Sequence, residues 1–148
     1  MQTFLPYLNF IQSASCLDNR RLGKQRVEAW QIYKTLTVGS RWKHHPAVIM
    51  WKGYEGYLLL YGYTICKEWV KRGFKDSMLN RFINEMYKEN IKMDAPPWLG
   101  KESFHSKHRS ILLAKNYDWY RQFDWKEKPA IQNNGRWPYE WPVNRILE

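Results

Sequence analysis

The sequence predicts an all-α fold: a single compact domain of about four main helices, followed by an irregular aromatic C-terminal tail. No stretch keeps the apolar–polar alternation of a half-buried strand, whereas apolar residues recur at helical spacing in several segments. A chain of 148 residues can build one sizeable core but not two comfortable ones. It contains no internal repeats and no low-complexity tracts. We therefore expect one domain that covers residues 1–148.

The first main helix is expected to run from a cap at Asp18 or Asn19 to about Leu36. Apolar residues at three-residue steps predict its buried stripe, formed by Val27, Trp30, Tyr33 and Leu36. The residues before it, up to about Ser15, contain Pro6 and scattered aromatics. They predict an irregular arm that packs on the core.

The second main helix is expected to begin at Pro46, because proline suits the first turn of a helix. Gly73 is placed to end it, directly after Lys71 and Arg72, whose charges suit the negative end of the helix dipole. Glycines at positions 53, 56 and 62 lie within this stretch. Because glycine weakens a helix interior, we expect these positions to mark close contact with another helix.

Two further helices and a tail complete the predicted fold. Asp76 or Ser77 is expected to cap the third helix, which continues to Tyr87. The fourth is expected from about Ser103 to Phe123, with an inner face formed by Phe104, Ile111, Leu112, Tyr117 and Tyr120. The tail contains three prolines, one glycine and three bulky rings, and it predicts irregular structure laid over the domain.

The composition favours a nucleic-acid partner. The chain carries 24 lysines and arginines against 14 acidic residues, a formal charge of +10, and a field of this sign attracts polyanions. Aromatic residues make up 17% of the chain, more than a small core needs, and aromatic rings can stack on bases. A tryptophan-rich core or a protein interface would give the same composition, so both stay open as alternatives.

Several features predict an intracellular, cytoplasmic protein. Cys16 and Cys66 lie far apart and form no CxxC pair, which argues against a disulfide scaffold or a cysteine zinc site. The longest apolar stretch is too short to cross a bilayer, and the first residues lack the charged start and apolar run of a signal peptide. We expect no membrane partner and no cofactor, and we favour a monomer.

On one face of the first main helix, a single carboxylate lies among cationic side chains. The residues that share this face, three or four positions apart, are Arg21, Lys24, Gln25 and Glu28, with Arg20 beside them. Between positions 17 and 45, seven lysines and arginines accompany two acidic residues, the clustering expected of a phosphate-binding surface. Glu28 is then either an ion-pair partner of Lys24, worth about 0.3–0.5 kcal/mol, or a catalytic carboxylate. A catalytic carboxylate would stabilise positive charge on a deoxyribose during base loss.

The start of the chain offers a second reactive group. Gln2 is bulky, and removal of an initiator methionine generally requires a small second residue, so we expect Met1 to be retained. An α-amine is far less basic than a lysine amine, and near neutral pH a useful fraction is an unprotonated nucleophile. The alternative is an ordered terminus without a chemical role.

Three motifs in the N-terminal half carry a family resemblance: QTFLPY, LDNRRLGKQRVEA and HHPAVIMWKGYE. Together they resemble the bacterial and viral branch of the pyrimidine-dimer DNA glycosylase and endonuclease V-like family, over roughly residues 2–75. The spacing of Leu17, Leu22 and Glu28 is similar to that of two leucines and the catalytic glutamate in this family. The segment WVKRGF, from Trp69 to Phe74, is similar to the end of its second long helix.

The resemblance implies a helical enzyme that flips a nucleotide out of double-stranded DNA and cleaves its N-glycosidic bond. An N-terminal amine and a glutamate, here Glu28, would cleave this bond. The amine would form an imine with the sugar, and β-elimination through this imine would then nick the backbone. The amine would come from Met1 or from Lys24, or the enzyme would be a monofunctional glycosylase that uses water. The substrate would be a pyrimidine dimer or another damaged or bulky modified pyrimidine, including those of phage DNA. A non-catalytic DNA-binding module stays the competing class.

Contacts to DNA are expected from basic residues and histidines: Arg20, Arg21, Arg26, Arg41, Lys43, His44, His45, Lys71, Arg72, Lys107, Arg109 and Lys115. Arg26 is also similar to a pocket arginine of the family. The alternative for the basic residues on the fourth helix is a solvated face without DNA contacts. The alternative for His45 is a buried, hydrogen-bonded ring. His105 and His108 have the spacing of a helical metal pair, but no acidic or cysteine partner matches it, so we expect no metal. The tail aromatics Trp137, Tyr139 and Trp141 either contact DNA bases or pack on the core.

Overall fold

A computed structural model describes residues 1–88 and 90–142 of the chain. These residues contain seven α-helices and no strand. In chain order the helices are α1 (Phe10–Cys16), α2 (Asn19–Thr37), α3 (Pro46–Ile49), α4 (Glu55–Lys71), α5 (Leu79–Met86), α6 (Glu102–Lys115) and α7 (Tyr117–Tyr120), and a 3₁₀ turn (Arg121–Phe123) follows. Their buried residues form one hydrophobic core, in which α4 contacts α1, α2 and α5. The predicted all-α single domain is confirmed.

The expected irregular tail is confirmed for residues 124–142, in which only an isolated bridge pairs Asn133 with Arg136. The rest of the tail, residues 143–148, lies outside the described residues, as does residue 89. None of the described helices is both long and apolar enough to cross a membrane.

Helix α2 follows the predicted bounds, but its buried face differs from the predicted stripe. Val27 is 43% exposed, and Trp30 and Leu36 are only partly buried. The buried residues of α2 are Leu22, Gln25, Ala29, Ile32, Tyr33 and Thr35. Of the predicted stripe only Tyr33 is confirmed as buried, because each three-residue step falls about 60° short of a full turn and the stripe winds off the face. Alternating steps of three and four, as from Leu22 to Ile32, stay on one face.

The irregular arm is shorter than expected, because residues Phe10–Cys16 form α1. The Asn9 side chain begins this helix by accepting a hydrogen bond from the Gln12 amide at 2.9 Å. The prediction of irregular structure to about Ser15 was therefore wrong over α1. A helix of seven residues is too short to establish a periodic pattern in the sequence.

The second expected helix is in fact two helices, α3 and α4. The predicted start at Pro46 is confirmed, and so is the end at Gly73, whose φ is +93°. Between the two helices the chain turns at Gly53, whose φ of +89° is left-handed and cannot continue a right-handed helix. The Glu55 carboxylate accepts a hydrogen bond from the Gly53 amide at 3.1 Å and stabilises this turn.

Helix α5 begins as predicted, because the Asp76 carboxylate caps it. One of its oxygens accepts hydrogen bonds from the amides of Met78 and Leu79, at 3.0 and 2.6 Å. The helix ends at Met86, one residue before the predicted end.

The fourth expected helix is interrupted at Asn116, which separates α6 from α7. The Asn116 side chain accepts a hydrogen bond from the Trp119 amide at 3.3 Å and caps α7 instead of continuing α6. Tyr117 was expected on the inner face and is 53% exposed, since the interruption changes the register. The other inner residues are buried as predicted: Phe104, Ile111, Leu112 and Tyr120.

Gly62 brings α4 and α5 into close contact. A Cβ atom at this position would lie 2.1 Å from the ring of Phe82 on α5, so the Phe82 ring takes the space of a side chain. At Gly56 a Cβ would lie 2.1 Å from the Lys92 carbonyl oxygen, so this glycine meets the connector after α5. The predicted close helix contact is confirmed for Gly62, whereas Gly53 lies in the turn before α4.

Replacing Gly62 with alanine should lower the free energy of unfolding by about 2–3 kcal/mol, because the new methyl group overlaps the Phe82 ring. Chemical denaturation measures this loss. Adding Phe82→Leu removes the overlapping ring atoms, so the double variant should lose less stability than the two single changes together. A Gly62→Ala protein as stable as the wild type would contradict the close contact.

Candidate active site

The first residues of the chain form an arm that runs through the core. Residues 2–6 are buried, although the described chain contains no strand that could pair with them. Buried backbone amides and carbonyls need hydrogen-bond partners. In this arm the partners are side chains of α2, α4 and α6.

Gln25 on α2 ties the arm to Glu28. Its side-chain oxygen accepts hydrogen bonds from the Phe4 amide at 2.8 Å and from the Tyr61 hydroxyl at 2.7 Å. Its side-chain nitrogen donates to the Gln2 carbonyl at 2.9 Å and to the Glu28 carboxylate at 3.0 Å. Gln25 is 1% exposed, and these four bonds use its full hydrogen-bonding capacity. One amide group therefore sets the positions of the arm and of the carboxylate together.

Two histidines of α6 hold the arm from the other side. His108 Nδ1 accepts a hydrogen bond from the Leu5 amide at 2.8 Å. His105 Nε2 accepts from the Gly100 amide at 3.0 Å, so its Nδ1 carries the proton and donates to the Leu5 carbonyl at 2.8 Å. Arg109 donates to the Pro6 carbonyl at 2.7 Å. His105 and His108, which have the spacing of a helical metal pair in the sequence, thus bind the backbone of the arm.

Stability should fall in mild acid, because burial lowers the pKa of His108 to about 3, with a smaller effect from His105. The unfolded chain takes up this proton near pH 6.5, so the contribution is complete above pH 6.5 and is lost as pH falls toward 3. By pH 5 the free energy of unfolding should be about 2 kcal/mol lower, measured by urea denaturation.

The exposed His44 supplies the control: His44→Gln should keep the pH dependence, whereas His108→Gln should reduce it. A wild-type stability that does not change between pH 6.5 and pH 5 would contradict a neutral, buried His108.

The start of the chain meets Glu28. The Gln2 amide donates a hydrogen bond to a Glu28 carboxylate oxygen at 3.3 Å, the same oxygen that accepts from Gln25. The α-amine of Met1 therefore belongs to the residue directly before the one whose amide binds the carboxylate. Glu28 forms no ion pair with Lys24 within 4.0 Å in the described part of the chain. The weak ion pair that the sequence left open is not formed.

A cavity of about 360 Å³ opens beside Glu28. Its walls come from the arm, from α2, from the end of α6 and from the tail, and the lining residues are Met1, Gln2, Phe4, Arg20, Arg21, Lys24, Gln25, Glu28, Lys115, Trp137 and Tyr139. The predicted grouping of charged residues on one face of α2 is confirmed. Four cationic side chains and one carboxylate surround this space, which suits a ligand that carries phosphate groups.

Two aromatic residues of the tail, Trp137 and Tyr139, form part of the cavity wall. The Tyr139 ring contacts the rings of Phe4 and His108, with ring centres 6.4 and 5.8 Å apart, and burial raises the pKa of its hydroxyl. The Lys115 ammonium lies 5.0 Å from the centre of the Trp137 ring. Burial lowers the pKa of Lys115, and the nearby cations Arg21 and Lys24 lower it further.

Three of the arginines expected to contact DNA hold the fold together instead of lining the cavity. Arg26 pairs with Asp76 and lies over the Trp69 ring, 4.5 Å from its centre. Arg72 donates to the carbonyls of Ala14 and Ser15 at the end of α1, at 3.3 and 3.1 Å. Arg109 is 7% exposed and forms ion pairs with Glu102 and Glu127.

The remaining expected contacts lie on other parts of the surface. Arg41, Lys43 and His44 are exposed in the loop between α2 and α3, and Lys71 and Lys107 are exposed on α4 and α6. His45 is partly buried; its Nδ1 accepts from the Ala47 amide at 3.0 Å and caps α3, and its ring contacts Trp141 of the tail. The cavity therefore brings Arg20, Arg21 and Lys115 together with Glu28, Met1 and Lys24.

Sequence reasoning named Gln25 but missed its role, and it missed Gln2 and Phe4 in the cavity wall. The spacing of Gln25 and Glu28 was the available signal, since residues three apart on a helix can bond to each other. No local pattern links Gln2 to Glu28, 26 positions away.

Comparison with known proteins gives the family of this chain. A model of the family described as pyrimidine dimer DNA glycosylase matches residues 1–82, more than half of the 148 residues. The matched segment contains the arm, Gln25, Glu28 and Tyr61, whereas Lys115 and the tail lie beyond it. Searches of curated proteins and of solved structures found no match. The chain therefore belongs to the pyrimidine dimer DNA glycosylases, a family of enzymes that act on DNA.

Proposed function

We propose that this protein excises pyrimidine dimers, or related damaged or modified pyrimidines, from double-stranded DNA through the α-amine of Met1 and the carboxylate of Glu28. The observation that carries the proposal is the hydrogen bond from the Gln2 amide to Glu28 at 3.3 Å. It places the start of the chain beside a carboxylate at the edge of a cationic cavity. Met1 and Glu28 line the same cavity, so an amine and a carboxylate there can act on the same sugar carbon.

Glu28 acts on the sugar while the base leaves. When the bond between C1′ and N1 of the pyrimidine breaks, positive charge develops on the deoxyribose. The Glu28 carboxylate lies in the cavity wall, held by two hydrogen bonds and without a competing ion pair in the described chain, so its negative charge is available to that sugar. A fixed charge of this kind stabilises the transition state without reorganising.

The Met1 amine forms the covalent intermediate. Its nitrogen bonds to C1′ as the pyrimidine leaves with the electron pair of the broken bond. Opening of the sugar ring gives an imine between Met1 and C1′. Loss of the C2′ proton then expels the 3′ phosphate by β-elimination, which nicks the strand. Lys24 lines the same cavity and is the second candidate for the amine.

The proposal includes flipping of a nucleotide out of the duplex. The Glu28 carboxylate lines a cavity together with residues of the arm, of α2 and of the tail, and a cavity of this kind suits a nucleotide turned out of the base stack. Arg20 and Arg21 at the cavity are proposed to hold the flanking phosphates, and the exposed Arg41 and Lys43 of the loop between α2 and α3 are proposed to make further phosphate contacts. Base flipping therefore precedes bond cleavage in this proposal.

An excision assay tests the proposed function. The protein is incubated with duplexes that carry a cyclobutane pyrimidine dimer or a panel of modified pyrimidines, and cleavage of the N-glycosidic bond and strand nicking are measured separately. A pyrimidine cut from a dimer stays joined to its neighbour through the cyclobutane ring, so light that reverses the dimer is used to free it. We expect glycosidic cleavage at least at the dimer, followed by a nick. A folded protein that binds duplex DNA in a salt-dependent manner but releases no base from any lesion would instead be a non-catalytic DNA-binding module.

A further inference from the structure

Lys115 lies in the cavity but does not belong to the row of charged residues on α2. It is the last residue of α6, its side chain is partly buried, and its ammonium lies 5.0 Å from the centre of the Trp137 ring. Lys107, on the same helix, is exposed and lies outside the cavity wall. Since a phosphate contact needs no burial, the position of Lys115 beside Glu28 indicates a different role.

The surroundings of Lys115 make its ammonium a better proton donor than an ordinary lysine. Burial lowers its pKa most, Arg21 and Lys24 lower it further, and Glu28 opposes them. Arginine is not a useful proton donor, because its guanidinium stays protonated in proteins. Lys24 stands one turn before Glu28 and is exposed, so Lys115 is the more buried of the two lysines that line this wall.

We propose that Lys115 is the general acid that helps the pyrimidine leave, a role that rests on the proposed function. As the bond from C1′ to N1 breaks, its electron pair moves onto N1 and, by delocalisation, onto a ring carbonyl oxygen. The Lys115 ammonium donates its proton to that oxygen, and the neutral lysine regains a proton from water. The amine and Glu28 act on the sugar, and Lys115 acts on the base.

A comparison of two substrates separates this role from the others. A preformed abasic site has no base to expel, so a group that acts only on the leaving base is not needed there. Lys115→Met keeps most of the side-chain length but cannot donate a proton. We expect base excision to fall by about 100-fold or more, the range of general acid catalysis, while cleavage of the abasic duplex changes by less than about threefold.

A better leaving group should rescue the variant. A 5-fluoro substituent withdraws electrons from the pyrimidine ring, so the base departs with less need for a proton. The deficit of Lys115→Met should therefore shrink at least about tenfold on the 5-fluoro form of the lesion. Lys115→Arg keeps the charge without the acidity and should stay impaired on the unsubstituted lesion. Lys126→Met is the matched control, since Lys126 is an exposed lysine outside the cavity wall, and it should behave as wild type.

Three results would overturn the assignment. Excision by Lys115→Met at the wild-type rate would show that the proton donor is elsewhere. A parallel loss of abasic cleavage would place Lys115 in DNA binding or in imine formation. An equal deficit on both leaving groups would exclude proton donation. Failure of the wild type to release any base refutes the proposed function itself, whereas these three results refute only the role of Lys115.

Discussion

Replacing Glu28 with glutamine is expected to slow base excision by at least about 1,000-fold, with duplex affinity unchanged within about threefold. Glutamine has the same shape, and its oxygen can still accept the hydrogen bonds from the Gln2 amide and from Gln25. The arm and the cavity should therefore persist. What is lost is the negative charge that stabilises the sugar as the base departs. Single-turnover base release measures the effect, and a binding titration at fixed salt gives the affinity.

Glu68→Gln is the matched control for this change. Glu68 is a partly buried glutamate on α4, where it pairs with Arg72 at 3.2 Å and lies outside the cavity wall. Its neutralisation removes the same charge from the protein without touching the site, and excision should stay close to wild type. Excision by Glu28→Gln within tenfold of the wild-type rate would rule out the assigned role of Glu28.

Acetylation of the Met1 α-amine should reduce strand nicking by about 100-fold or more, because an amide nitrogen cannot attack the sugar carbon. Base release should fall with it, since the same amine displaces the pyrimidine. Semisynthesis can install this acetyl group on Met1 alone, leaving the lysine amines intact. Nicking on an abasic duplex and base release from a lesion duplex are then measured on the same preparation.

Lys24→Met separates the two candidate amines. It removes the lysine amine from the cavity wall but leaves Met1 and Glu28 in place, so nicking should remain within several-fold of wild type. If the acetylated protein still nicks while Lys24→Met does not, the amine is that of Lys24. If the unmodified protein releases the base but leaves an intact abasic strand, water replaces the amine and the enzyme is a monofunctional glycosylase.

Local geometry explains why part of the site could be predicted from the sequence. Arg21, Lys24, Gln25 and Glu28 share a face because helix spacing alone brings them together, and all four line the cavity. The helix boundaries at Pro46 and Gly73 were predictable for a similar reason, since each residue restricts its own backbone. These features depend on neighbours within a few positions.

Features that depend on distant parts of the chain were not predictable. The Leu5 backbone is held by His105 and His108, which lie 100 and 103 positions away, and no local pattern indicates such a contact. Arg109 looked like a phosphate contact on a basic helix. Its burial, its bond to the Pro6 carbonyl and its ion pair with Glu127 follow from how α6 meets the arm and the tail. The same holds for Lys115, which reaches the cavity only through the tertiary fold.

Borohydride reduction during turnover tests most directly whether the start of the chain acts on the sugar beside Glu28. The reductant converts an imine into a stable bond between protein and DNA, and peptide mapping then identifies the modified residue. We expect a cross-linked product on an abasic or lesion-bearing duplex, with the DNA attached to the α-amine of Met1. Attachment to Lys24 or to any other residue, or base release and nicking without any adduct, would contradict the role of the Met1 amine.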